Sequence, residues 1–167
     1  VTPPAAVVVM GVSGCGKTTL ALALAARLDR PFRDGDDLHP AENRAKMAAG
    51  RALGDADRAP WLQAIATEIA TRPGLILACS ALRRSYRDQI RSAGAVRFLW
   101  LDAPFAVIAA RVQARQGHFM PPALLQSQFD TLEPPGPDED ALRLDARVPV
   151  VRLVDLATGW LGRSAPA

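Results

Sequence analysis

Lysine is nearly absent from this 167-residue chain: Lys17 and Lys46 are the only two, and all other fixed positive side-chain charge is arginine. Cysteine is as scarce, with Cys15 and Cys79 alone. Two cysteines make no disulfide framework in a chain this long, and no metal-ligand spacing of Cys and His occurs. Both read as reduced thiols of an intracellular, cytoplasmic protein. No apolar run approaches membrane-spanning length, and Val1-Thr2-Pro3-Pro4 lacks the basic-then-apolar layout of a secretory signal. No membrane partner is expected. There is no arginine-rich block and no aromatic stacking array, so the net charge of +3 points to an anionic metabolite rather than to nucleic acid. No repeat, linker or compositional break divides the chain. One domain over residues 1–167, with a substantial core, is the expectation.

What is present begins at residue 11. Gly11-Val12-Ser13-Gly14-Cys15-Gly16-Lys17-Thr18 matches G-x-x-x-x-G-K-[ST] in full. It follows the apolar run Ala6–Met10 and opens a helical pattern from Lys17 to Leu28. A strand, a glycine turn and a helix start build an anion cradle, because backbone N–H groups converge there and the helix N-terminus adds partial positive charge. Lys17 is placed to reach terminal phosphates, and the Thr18 hydroxyl to bind Mg²⁺. Thr19 follows within the same first helical turn. The chain is therefore expected to bind a nucleoside triphosphate.

Short apolar runs alternate with helical patterns, which argues for a parallel sheet covered on both faces by helices. The expected strands are Ala6–Met10, Pro31–Arg33, Leu75–Cys79, Val96–Leu101 and Ala141–Leu144. Helices are expected over Lys17–Leu28, Ala41–Ala49, Arg58–Thr71, Ser80–Ser92 (capped by Ser80), Pro104–Arg115 and Pro122–Leu132. A short last helix is expected near Val154. Glu133-Pro134-Pro135-Gly136-Pro137 reads as a loop, and Ser164–Ala167 as a frayed end.

Several polar clusters follow. Asp34-Gly35-Asp36 lies at the carboxyl end of a strand, where ligands gather in open parallel sheets. Beside a triphosphate, one carboxylate can hold a metal-bound water and the other can accept a hydroxyl proton; an acidic Asp-Gly turn is the plainer alternative. His39 either contacts a polyol hydroxyl or caps the next helix. Asp57 reads as an N-cap with Pro60 in the first helical turn, and Trp61 as a core residue or a pocket wall. Arg83 and Arg87 are one helical turn apart and suit a carboxylate or phosphate, or else surface ion pairing. Arg111 and Arg115 repeat that spacing before Gly117, as in a hinged cover that brings positive charge over a moving phosphoryl group, or simply an exposed helix end.

Read together, these segments resemble the gluconokinase family, within the shikimate-kinase-like phosphate-loop kinases. The matching text is Met10 to Thr18, Asp34-Gly35-Asp36-x-Leu38-His39-Pro40 and Asn43-x-x-Lys46-Met47. It continues as Leu53-x-Asp55-x-Asp57-Arg58-x-Pro60-Trp61-Leu62, Cys79-Ser80-Ala81-Leu82-Arg83-x-x-Tyr86-Arg87-Asp88, Arg115-x-Gly117-His118-Phe119-Met120 and Gln128-Phe129-x-x-Leu132-Glu133-x-Pro135. Ala52 stands where the family often has proline, and arginine replaces lysine at several basic positions. The resemblance implies a P-loop NTPase fold of class α/β, with five parallel strands in the order 2-3-1-4-5 and a mobile lid over roughly residues 115–137. It implies ATP-dependent phosphorylation of D-gluconate at the 6-hydroxyl, with ATP and Mg²⁺ as cofactors. Gly11 to Thr19 and Arg111 would hold the nucleotide, and Thr18 and Asp34 the metal. Lys17, Asp36 and Arg115 would be catalytic, although which of Arg111 and Arg115 meets the phosphoryl group stays open. Asp36, His39, Arg44, Arg83 or Arg87, His118 and Gln128 would bind the sugar acid. Homodimers are common in such families. A kinase for another hydroxylated acid such as shikimate, and a nucleotide-binding regulatory module without transfer activity, remain the competing readings.

Overall fold

Five apolar residues, Ala6–Met10, form strand β1 in the computed structural model, which describes residues 2–115, 117 and 120–163. All five are buried, because both faces of this strand are covered. Val7 and Val9 face a core shared with Leu20 and Leu24 of helix α1 (Lys17–Leu28) and Leu153 of α7 (Val150–Leu161). Val8 and Met10 face the opposite core, built by Trp61, Leu62 and Ile65 of α3 (Asp55–Thr71) and by Tyr86 and Ile90 of α4 (Arg84–Arg91).

The remaining strands are β2 (Phe32–Asp34), β3 (Ile76–Ala78), β4 (Val96–Asp102) and β5 (Ala141–Asp145). Every pairing is parallel and the order is β2-β3-β1-β4-β5, as expected. β1 pairs with β3 through Val7 and Ile76 and with β4 through Val7 and Arg97. A 3₁₀ turn, Gly35–Leu38, leads from β2 to α2 (Ala41–Ala48). Helices α5 (Phe105–Ala114) and α6 (Pro122–Thr131) complete the chain.

Most boundaries fall within a residue of the sequence reading, but three helix starts differ by more. Helix α3 begins at Asp55, not Arg58, with Gly54 as its N-cap. Asp57 is thus the third helical residue, and its carboxylate accepts the Gly54 N–H at 2.9 Å; Pro60 lies beyond the first turn. Helix α4 begins at Arg84 rather than after Ser80, because Ala81 takes a left-handed backbone with φ 45°. The last helix starts at Val150 behind Pro149 and runs twelve residues, so it is neither short nor late. The expected fraying of Ser164–Ala167 lies outside the described residues.

Candidate active site

The turn after β1 can approach its neighbours only because it carries glycine. A Cβ on Gly11 would lie 2.6 Å from the Leu101 carbonyl oxygen, and one on Gly14 2.6 Å from a methyl of Val112 in α5. Both glycines also have positive φ. The loop therefore sits directly on the carboxyl end of β4 and against α5. At its far end the Thr18 hydroxyl donates to the Asp34 carboxylate at 3.0 Å. Lys17 Nζ lies 2.9 Å from the Val12 carbonyl. These groups open onto a cavity of about 240 Å³ lined by Ser13, Gly14, Gly16, Lys17, Thr18, Thr19, Asp34 and Asp36, with Val112, Arg115 and Met120 above.

Asp34 closes β2 and caps the following 3₁₀ turn, accepting the Asp36 N–H at 3.0 Å. That turn swings the Asp36 carboxyl toward Lys17 at the mouth of the cleft. Asp36 is exposed there, but the protein crowded around it displaces enough water to push its pKa up. Lys17 opposes that shift, Asp34 and Asp37 add to it, and Arg44 opposes it again.

A second cavity, of about 180 Å³, adjoins the first and shares Ser13, Lys17, Asp36 and Met120 with it. Its other walls include His39, Arg58, Trp61, Ser80, Leu82, Leu124 and Gln128. Trp61 plays both roles considered for it: it is 1% exposed, and its ring stacks on His39 with centroids 4.3 Å apart. Arg58 is set by Tyr86, whose hydroxyl lies 3.0 Å from its guanidinium and donates to Asp55 at 2.5 Å. Gln128 of α6 reaches down to the phosphate loop, accepting the Ser13 N–H at 2.7 Å. The arrangement is a phosphate cradle joined to a polar pocket, with a carboxyl and an ammonium at the junction.

The structure redistributes the arginines. Arg87 is fully buried and unavailable to a ligand: it pairs with Glu139 at 2.7 Å, both side chains at 0% exposure, and donates to the Ala81 and Leu82 carbonyls. Its one-turn spacing from Arg83 is real, but Arg83 is the exposed N-cap of α4 and does not line the cleft. Arg44 is also exposed, donates to the Asp37 carbonyl at 2.7 Å, and stands outside the lining side chains. Arg115 faces the phosphate loop, whereas Arg111 turns to the Ala146 carbonyl at 2.7 Å, beyond the end of β5. His118 lies outside the described residues. Arg58 and Arg51, which do line the pocket, were not singled out from the sequence. The available signal was Arg58 following Asp55 and Asp57 in the first turn of a helix.

A larger hollow, about 600 Å³, lies at the outer edge of the sheet over β4 and β5. Its acids Asp102 and Asp145 are already paired with Arg143 and Arg147, and it shares no residue with the cleft. No helix among the described residues is long and apolar enough to cross a membrane.

Comparison with known proteins agrees with this geometry. The family model described as Shikimate kinase matches residues 13–132. A gluconokinase of Gluconobacter oxydans is 49% identical over 146 residues, covering 84% of this chain and 82% of that protein. The crystal structure of a gluconokinase from Sinorhizobium meliloti superposes with a TM-score of 0.90 at 44% identity, covering 96% of this chain and 93% of that one. Shikimate kinase from Aquifex aeolicus, at 16% identity and a TM-score of 0.62 over 93% of this chain and 95% of its own, shares the fold alone. By identity, coverage and the segments that build the cleft, this chain belongs to the gluconokinase family of phosphate-loop kinases.

Proposed function

We propose that this protein transfers the terminal phosphoryl group of ATP to the 6-hydroxyl of D-gluconate, giving 6-phospho-D-gluconate and ADP. The observation that carries this reading is the shared boundary of the two cavities, where Lys17 and Asp36 stand between the phosphate loop and a pocket rich in donors and acceptors. Family membership carries ATP use with a divalent metal ion, and we take that ion to be Mg²⁺. The donor set fits it: Thr18 and Asp34 offer two oxygens 3.0 Å apart, which suits a hard cation that completes its shell with water and phosphate oxygens. When bound, Mg²⁺ offsets phosphate charge.

The chain's own residues then divide the work. Loop N–H groups and Lys17 hold the β- and γ-phosphates, and Arg115 faces the same cavity from above. Asp36 orients the 6-hydroxyl and takes its proton as the new O–P bond forms and the bond from phosphorus to the ADP oxygen breaks. Arg58, held by Tyr86, is the charged fork that suits the gluconate carboxylate; it replaces Arg87 in that role. His39 and Gln128 contact hydroxyls. The single domain works with a lid over roughly 115–137, which includes α6 and excludes water when it closes. The reading places the enzyme in the cytoplasm.

The test is ADP release with Mg²⁺–ATP and either D-gluconate, shikimate or no acceptor. Release that appears with gluconate, with 6-phosphogluconate as product, is the expected outcome. Turnover with shikimate but not gluconate, or none with either, would discard the assignment. Arg58→Met should raise KM for gluconate on the order of 10–100-fold, the cost of a lost charged hydrogen bond, and leave KM for ATP nearly unchanged. Equal effects on both would remove Arg58 from the acceptor site.

A further inference from the structure

His39 is held on its face and on its edge. Its face stacks on Trp61, with planes 10° apart. Trp61 is itself fixed by a hydrogen bond from its indole N–H to the Gly35 carbonyl at 2.8 Å. On the edge, His39 Nδ1 lies 3.2 Å from Asn43 Nδ2. The same Asn43 atom lies 2.7 Å from the Asp57 backbone carbonyl. That second contact decides the chemistry. A backbone carbonyl can only accept, so the atom facing it must be the amide nitrogen, and its two hydrogens serve the two neighbours. His39 Nδ1 is then an acceptor and carries no proton. A neutral imidazole has one N–H, which must be on Nε2.

The support behind Asn43 is equally fixed. The Asp57 carboxylate accepts from Lys46 at 2.8 Å and from the Gly54 N–H at 2.9 Å, tying α2 to the start of α3. Asn43 is 3% exposed, so water does not compete for its amide.

We propose that Asn43 is a positioning residue that locks His39 as the Nε2–H tautomer, so that the imidazole presents a hydrogen-bond donor, and never a base, to an oxygen of the acceptor in the cleft. The part of this that concerns substrate rests on the function proposed above; the tautomer does not. Burial, with the nearby charges of Arg58 and Arg44, lowers the His39 pKa to about 4, so the ring is neutral at physiological pH. With Asp36 as an acceptor in the same cavity, the subsite takes an oxygen that has a lone pair for His39, a hydroxyl or carboxylate. It does not take an ammonium group in that place.

The test reads the tautomer directly. The chain has two histidines, so ¹⁵N-histidine labelling gives two imidazole patterns, and His39→Gln identifies which belongs to His39. A protonated Nε2 and an unprotonated Nδ1 at neutral pH are expected; a protonated Nδ1, or a mixture of tautomers, overturns the proposal. In Asn43→Asp the side chain can only accept, so the His39 proton should move to Nδ1 and KM for gluconate should rise about 10-fold while KM for ATP holds. A folded Asn43→Asp protein with an unchanged tautomer would also overturn it. Should that variant not fold, the wild-type spectrum still decides. His39→Gln, whose amide can put an N–H near the Nε2 position, should keep more gluconate affinity than His39→Asn; the reverse order counts against a donor at Nε2. If gluconate proves not to be the acceptor, the spectrum is unaffected, so failure of the functional reading and failure of the tautomer are separate results.

Discussion

Asp36 illustrates how a single residue can be unfavourable to the fold and necessary to the chemistry. Its folded pKa is raised above 3.8, so the folded chain holds that proton more tightly than the unfolded chain does. This group's contribution to stability is therefore lost as pH rises through that window, and the ionised carboxylate is a cost at neutral pH. Asp36→Asn should raise the melting temperature at neutral pH while lowering kcat by at least ~10²-fold, with little change in ATP affinity. Calorimetry and steady-state kinetics on the same preparation check both; a lower melting temperature would contradict the raised pKa. His39 runs the opposite way. Its pKa falls from 6.5 in the unfolded chain to about 4 in the fold, so the unfolded chain binds the proton first, and stability should drop as pH falls from 6.5 to about 4. His39→Gln should flatten that part of a urea-midpoint profile. At this scale the phosphate loop was legible because its chemistry is local: eight consecutive residues specify the turn. Arg58 was not legible, because its role depends on Tyr86, 28 positions away in sequence. Arg87 misled for a related reason: the helix spacing was right, but the Glu139 that buries it comes from the segment before β5.

That Arg87–Glu139 pair is the most deeply buried ion pair among the described residues. Glu139 also accepts the Gly136 N–H at 2.8 Å, and the Glu133 N–H donates to the Leu82 carbonyl at 2.8 Å. The segment after α6 is thus stitched to the turn before α4. Arg87 holds the carbonyls of Ala81 and Leu82, keeping that turn's left-handed Ala81 in place beside the cleft. Arg87→Ala should destabilise the protein by about 3–5 kcal/mol, because it leaves a carboxylate buried without its partner. The double variant Arg87→Met with Glu139→Leu should recover much of that loss in denaturant unfolding; no recovery would mean that the carbonyl contacts, not the charge pair, matter most. Element boundaries followed the strength of local signals. Helix α1 is found where its leucine stripe placed it. The start of α7 was missed because Val148-Pro149-Val150-Val151 is β-branched and proline-bearing, which reads as extended chain, whereas Pro149 in fact precedes the first helical turn. α3 begins early because Gly54 caps it with help from Asp57, a contact that needs the helix already formed.

For the molecule as a whole, both ligands bind between α6 and the sheet in the proposed reading, so they should act on global stability together. With each ligand near 100 times its Kd, either one adds about 2.7 kcal/mol. Each should raise the melting temperature by roughly 5–10 °C for a chain of this size, and the pair should do more than either alone. Thermal scans with gluconate and a non-hydrolysable ATP analogue measure this. An unresponsive melt with gluconate present would argue that α6 does not close over an acceptor. The fold class was legible from alternation alone, since a parallel sheet demands buried strands separated by helices; the strand order was not, and came only from the resemblance to the gluconokinase family. The same topology has a consequence for how the chain reaches this state. β1 is the middle strand, yet its partners arrive late: Val7 must wait for Ile76 on one side and Arg97 on the other. No neighbouring pair in the sheet is joined by a hairpin that closes early. During synthesis α1 follows β1 at once and can cover one face of this wholly apolar strand, but its other face waits for α3 and α4 and both its edges wait for β3 and β4, so the nascent chain holds a half-bare central strand through much of its synthesis. Folding of this small kinase is therefore expected to be slow for its size and to draw on chaperones until β4 is in place.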